Sequence, residues 1–296
     1  MKPLFVLLLL QSVLLAQAKH RNPCSAPLGS VNSFAVVYFP DDSLNELAIF
    51  DMVIVDPADY DSSDIAKLKS LGCQPFAYLN VGEVETYRDY FDMIDTSILL
   101  GPDPKWKERY YVDLCDPQWY EVISKFRLPD IMDKGFCGLL VDFSDLLDEF
   151  PETEDCAVKL IKKIHKGLPN TAILVDGAAR ILDKIGNDVD GVAVEGLIGT
   201  YDFDADEYGV QPDSTVDRES ARLLAFAKKF KTSIFQIDYA PSADRQLREN
   251  IIEQSRKFGF IPYVGTVELD TLFTDSVRKS KLIAPKNAKS TPDTLK

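Results

Sequence analysis

Six apolar runs in this chain end on, or lead into, a carboxylate. MVIV is followed by Asp56, and PFAYLNV runs into Gly82-Glu83. GLLVD closes on Asp142 with Asp145 just beyond, TAILVD on Asp176, GVAVE on Glu195 and SIFQID on Asp238. An acid at the end of an apolar stretch is costly to bury unless it is paired, hydrogen-bonded or used. A helix N-cap accounts for one such acid, but less readily for six. The chain has only two histidines. His20 and His165 cannot build a multi-histidine metal site, and no G-x-S-x-G lies near His165 to make a serine triad. No metal or cofactor is expected, and the chemistry should run on carboxyls.

Two carboxyls without metal or histidine suit glycoside hydrolysis. One protonates the leaving oxygen; the other stabilises or attacks the anomeric carbon, and a retaining enzyme holds them ~5–5.5 Å apart. Neighbouring acids would raise the proton donor's pKa. Asp142 and Glu195 are the candidate catalytic pair, each closing the most hydrophobic run of its half of the chain. Candidate substrate contacts are Asp56, Glu83, Asp145, Asp176, Asp202 and Asp238. Tyr78, Tyr201, Tyr239 and Tyr263 could stack on sugar rings or simply pack in a core.

The elements that must position these residues are short and β-rich: residues 34–39, 52–56, 75–81, 138–143, 171–176, 191–195, 233–238 and 260–265. The runs are continuous rather than alternating, as in parallel strands covered on both faces. Helical patterns lie between most of them, over 61–71, 119–134, 155–167, 218–230 and 243–258. The expected fold is α/β, a single-domain (β/α)8 TIM-type barrel, with all strand C-termini on the active face. An open doubly wound sheet would carry a glycine-rich phosphate turn after its first strand. FAVVYFPDDS has none.

The 296 residues are 46% hydrophobic and 27% charged, which excludes a disordered chain or a collagen. With 47 acidic against 33 basic residues the net charge is -14, so nucleic acid is an unsuitable partner and a cationic ligand a suitable one. Residues 1–18, MKPLFVLLLLQSVLLAQA, read as a secretory signal cleaved after Ala18. The protein is therefore expected to be secreted or periplasmic. The barrel should span 19–275, and residues 276–296 form a polar tail. Five cysteines permit disulfides after export, but their pairing is not legible. Cys137, inside an apolar run, reads as a small core filler.

The motifs FAYLNVGEVETYRDYF, GLLVDFSD, GVAVEGLIGTYD, FQIDYAPSADRQLRE and GFIPYVGTVELDTL resemble the hydrolase domain of the Pel exopolysaccharide hydrolase/deacetylases, glycoside hydrolase family 166. They are similar, more distantly, to the family 114 endo-α-1,4-polygalactosaminidases. The resemblance covers roughly residues 33–275. It implies a barrel that cleaves α-1,4 links in N-acetylgalactosamine/galactosamine polymers of the Pel-like biofilm type. The family's strand-four acid falls on Asp142 as nucleophile and its strand-six acid on Glu195 as acid/base. Gly82, Glu83 and Val84, with Ile237, Asp238 and Tyr239, would shape subsites. Where the family favours Asn or Arg after strand five, this chain has Asp176-Gly177, which implies an altered sugar preference. No deacetylase domain is expected to follow the barrel. The implied partner is a cationic galactosamine polysaccharide, held by a ring of acids; other exopolysaccharide-system proteins are candidate partners. A non-catalytic polysaccharide-binding protein and a hydrolase of another amino-sugar glycan are the alternatives.

Overall fold

The computed structural model describes residues 22–38 and 43–277. The expected signal at 1–18, His20 and the expected tail beyond residue 277 lie outside them. All eight apolar runs form strands: β1 (Phe34–Val37), β2 (Met52–Val55), β3 (Gln74–Asn80), β4 (Gly138–Asp142), β5 (Ala172–Asp176), β6 (Gly191–Glu195), β7 (Ser233–Tyr239) and β8 (Ile261–Gly265). They pair in parallel and in chain order as one sheet. The sheet's two ends meet, with the rings of Phe34 and Tyr263 6.0 Å apart and the Tyr38 N–H donating to the Leu269 carbonyl at 2.8 Å. This is the (β/α)8 barrel expected, not an open sheet.

Large side chains fill the barrel interior. Phe34, Phe76, Phe235 and Tyr263 are fully buried there, each contributing about 1.5–3 kcal/mol by leaving water. Gly138 is required opposite Phe76, because a Cβ would sit 2.2 Å from that ring. The same parity carries upward. Side chains two and four residues further along these strands point into the barrel mouth, and the intervening ones point out toward the helices.

The outer helices match the sequence pattern closely. Ser62–Ser70 opens on an Asp61 capping box, Glu154–Gly167 precedes β5, Asp213–Phe230 precedes β7 and Arg245–Phe258 precedes β8. The stretch before β4 is one helical run with a π-turn at Ile123–Arg127. Two β-insertions were not expected. Between β3 and β4, strands Glu83–Glu85, Leu99–Pro102 and Arg109–Val112 make a small antiparallel sheet; after β6, Gly199–Asp202 pairs with Glu207–Val210 as a hairpin.

Two disulfides are present. Cys24–Cys137 ties the N-terminal segment to the start of β4, and Cys115–Cys156 ties the β3–β4 insertion to the helix before β5. Cys137 is therefore a bridge, not a filler, while Cys73 is a buried thiol. The packed unit runs to the end of the described residues. Ser276 and Val277 are buried, and Asp275 accepts from Arg248 at 2.7 Å, so the first two residues of the expected tail belong to the packed body.

Candidate active site

At the C-terminal mouth of the barrel three consecutive strands present a carboxyl to one cleft. Asp142 ends β4, Asp176 ends β5 and Glu195 ends β6. Asp142 and Asp176 are direct register partners, and Asn80 of β3 flanks Asp142 on the other side. The cleft has a volume of about 890 Å³, at the upper end of the ~300–1,000 Å³ usual for ligand sites.

Asp142 is surrounded by donors. The Ser144 N–H donates to its Oδ1 at 2.7 Å and the Tyr78 hydroxyl to its Oδ2 at 2.8 Å. Ser144 adopts a left-handed φ of 48°, which turns its N–H back onto the preceding acid. Burial pushes Asp142 up; these donors and the Arg109 charge pull the other way. Glu195 has fewer donors. The Tyr239 hydroxyl donates to its Oε2, and Asp176 lies within hydrogen-bond reach. Burial and then the Asp142 charge push Glu195 up to about 7, although its carboxyl still meets cleft solvent. Asp176 is raised well above the carboxylate range by burial and by the charges of Glu195 and Asp142. Tyr38, its ring centroid 4.6 Å from that of Tyr78, is held protonated by burial and by the same three acids.

Six of the expected residues line this cleft: Asp142, Glu195, Asp176, Asp145, Tyr78 and Tyr239. Asp145 reaches it paired with Lys105. The other six do not. Asp56 is bound by Arg88 at 2.7 Å, which also grips Glu85; this buried ion pair cements β2 to the insertion. Glu83 lies beneath the floor, fully buried, accepting from the Ser144 hydroxyl at 2.9 Å and from Asn80 at 3.2 Å. Burial and the neighbouring Asp103 push it up to about 9. Asp238 falls on the wrong parity. β7 continues one residue past the expected end, so Tyr239 faces the cleft while Asp238 faces out and accepts from the Ile198 N–H at 2.9 Å. Asp202 caps its hairpin turn through the N–H groups of Asp204 and Ala205. Tyr201 bonds Asp206 and packs on Phe203 and Tyr208. Tyr263 is interior packing, fully buried below the site.

Residues not anticipated from the sequence also line the cleft, chiefly Tyr38, Lys105, Trp106, Arg109 and Phe203. Trp106 and Phe203, from the two insertions, meet with centroids 5.3 Å apart, and the Arg109 guanidinium lies 5.0 Å from the Trp106 centroid. The length of the β3–β4 connection signals such an insertion, since long connections in compact domains are often functional. The expected acidic ring is thus rebuilt from other residues. Asp56, Glu83, Asp202 and Asp238 leave it; Asp103, Asp148, Glu268 and Asp270 enter. Eight acids face four bases across the cleft, and even with Asp176 and Glu195 in their neutral forms six acids outnumber the bases, so the lining favours a cation.

The profile of glycoside hydrolase family GH114 matches residues 15–281. An uncharacterized protein of Methanocaldococcus jannaschii is 30% identical over 244 residues, covering 73% of this chain and 68% of the relative. The glycoside hydrolase domain of PelA from Pseudomonas aeruginosa superposes with a TM-score of 0.73 at 25% identity, covering 82% of this chain and 98% of that domain. Aspergillus fumigatus Ega3, solved in complex with galactosamine, superposes with a TM-score of 0.67 at 15% identity, covering 83% and 96%; that likeness shows the fold alone. The chain belongs to glycoside hydrolase family 114 and is a glycoside hydrolase. The profile match falls in the family that the motifs resembled more distantly.

Proposed function

We propose that this family 114 barrel is an endo-acting hydrolase of α-1,4-linked galactosamine/N-acetylgalactosamine polysaccharide, with Asp142 as nucleophile and Glu195 as general acid/base. One observation carries the pairing: two carboxyls from non-adjacent strands open on one cleft with unequal donor sets. Asp142, supplied by Ser144 and Tyr78 and facing Arg109, suits the anion. Glu195, pushed up to about 7, suits the proton carrier.

In the first step the Glu195 proton passes to the glycosidic oxygen. The bond from that oxygen to the anomeric carbon breaks as an Asp142 oxygen bonds to the same carbon. In the second step a water gives its proton to Glu195 and its oxygen to the anomeric carbon, and Asp142 leaves as the carboxylate. Two turnovers of configuration give net retention. The excess of acid in the cleft lining supports an amino-sugar polymer. So does the likeness to the PelA hydrolase domain. The signal-like segment at 1–18 and two disulfides support export to an oxidising compartment.

The test is incubation of defined galactosamine oligomers and polymer with wild type, Asp142→Asn and Glu195→Gln, with products read by mass spectrometry. Wild type should shorten the polymer internally. Glu195→Gln should fall by on the order of 10²–10⁴-fold, and Asp142→Asn should form no covalent intermediate. Wild-type rates in both variants would refute the pair. Tight binding without chain shortening would indicate a non-catalytic carbohydrate-binding protein. Cleavage of a different amino-sugar glycan alone would refute the substrate.

A further inference from the structure

The proposed mechanism uses Asp142 and Glu195 and leaves unused the acid that stands between them. Asp176 ends β5, in register with Asp142 of β4, and lines the same cleft while itself only 8% exposed. One side of its carboxyl is occupied, since the Gly177 N–H donates to Oδ1 at 2.8 Å. Gly177 has a φ of +63°, and a Cβ there would lie 2.4 Å from the Ser144 carbonyl oxygen. The turn that presents Asp176 therefore tolerates no side chain. Glu195 ends the neighbouring strand β6 on the same cleft and is a hydrogen-bond partner of the Asp176 carboxyl. Two carboxyls that share a hydrogen bond cannot both be ionised, because neither would have a hydrogen to give and their charges repel. One proton must lie between them.

We propose that Asp176 is a positioning residue: it stays protonated between the two reacting carboxyls, donates its hydrogen bond to Glu195 throughout the cycle, and so holds that side chain against the leaving-group oxygen. This rests on the reading of Asp142 and Glu195 given above.

The proton inventory closes. Asp176 keeps its own proton in every state. When Glu195 is protonated it receives the Asp176 O–H on its carbonyl oxygen and directs its own hydrogen at the glycosidic oxygen. After transfer, the Glu195 carboxylate is stabilised by the same Asp176 donor and by the Tyr239 hydroxyl. The water of the second step then returns a proton to Glu195. The groups facing the pair assign the standing proton to Asp176. Asp142 lies on one side with Asp145 beyond it, and Tyr38, Tyr78 and Tyr239 surround the pair as neutral phenols. The Arg109 cation acts on Asp142. Glu195 is open to cleft solvent, whereas Asp176 is buried and has anionic neighbours on both flanks, so ionisation costs Asp176 more.

The experiment compares Asp176→Ala and Asp176→Asn. Alanine removes the donor, so kcat should fall on the order of 10–100-fold, the worth of a hydrogen bond to a charged group. Glu195 should also keep its proton to higher pH, moving the alkaline limb of the pH–rate profile upward. Asparagine is isosteric with the protonated acid and restores a donor. It should recover about tenfold of that loss and return the limb to its wild-type position. If instead asparagine moves the alkaline limb downward and raises KM for the amino polymer alone, Asp176 is an anion that binds the substrate cation, and the proposal is overturned. A substrate-free readout separates this from the choice of substrate: the infrared difference spectrum of wild type minus Asp176→Asn at pH 7. Loss of a protonated carboxyl band supports the proposal even if the polymer proves to be another glycan. Loss of a carboxylate band overturns it even if the polymer is cleaved.

Discussion

What separates two chemically similar carboxyls is who donates to them. Asp142 takes a backbone N–H and a phenol, while Glu195 takes a phenol and its neighbouring acid. The two phenols should therefore control opposite limbs of the pH–rate profile. Activity needs Asp142 ionised, which sets the acid limb, and Glu195 protonated, which sets the alkaline limb near 7. Tyr78→Phe removes a donor to the Asp142 anion, raises its pKa and should move the acid limb up. Tyr239→Phe does the same for Glu195 and should move the alkaline limb up. Each shift should be on the order of one pH unit, from the worth of a hydrogen bond to a charge. Measurement of kcat/KM against pH checks this, and a limb that responds to the wrong tyrosine reverses the assigned roles. The sequence made Asp142, Asp176 and Glu195 legible because each closes an apolar run with the right parity. It misplaced Asp238 because a one-residue error in a strand's end exchanges inside for outside. It misplaced Asp56 because Arg88, which neutralises it, lies 32 residues away in sequence and next to it only in the fold.

At the scale of elements, the eight barrel strands were legible because each is a continuous apolar run sandwiched between lumen and helices. The two insertions were not, because their strands are three or four residues long and half-polar or half-exposed, with none of the apolar continuity that marks a barrel strand. Yet these insertions roof the cleft. Lys105 is tied to Asp145 at the end of β4, and Trp106 meets Phe203 edge to face, with Phe203 still 37% exposed. The exposed Lys105–Asp145 pair adds little stability by itself; its value is geometric, setting the insertion against the β4 turn. An aromatic pair above a carboxyl pair is placed to grip a polymer extending past the reacting sugar. Trp106→Ala should therefore raise KM for polymer by roughly 2–12-fold, the range of an aromatic contact, while kcat on the shortest cleavable oligomer changes little. Steady-state kinetics on a length series checks this. An equal effect at every length would place Trp106 against the reacting sugar instead.

The molecule as a whole keeps several acids in surroundings that favour the neutral form. Burial drives Glu83 up to about 9 and Asp238 up to about 7, and desolvation within the cleft together with the Asp142 charge brings the solvent-facing Glu195 up to about 7. An acid whose folded pKa lies above its unfolded value contributes stability that is fully present below the unfolded pKa. That contribution is lost as pH rises through the folded pKa, because the unfolded chain releases the proton more readily. These groups should therefore make the fold most stable near pH 4–5, with stability falling most steeply between about pH 5 and 7, where all three contribute, and more gently on to about pH 9, where Glu83 does, a trend opposite to that of a protein held by buried carboxylate ion pairs. The net charge of -14 adds self-repulsion on the same side. Glu83 isolates the upper part of the window. It lies under the floor rather than in the cleft, beside Asp103. Glu83→Gln mimics the protonated acid, keeping the size and the donor but removing the ionisation. Thermal melts of wild type should show Tm falling between pH 7 and pH 9. In Glu83→Gln that segment of the curve should flatten, while the fall between pH 5 and pH 7 should become shallower but persist, driven there by Asp238 and Glu195. An unchanged slope above pH 7 in the variant would mean that Glu83 is already ionised in the native protein.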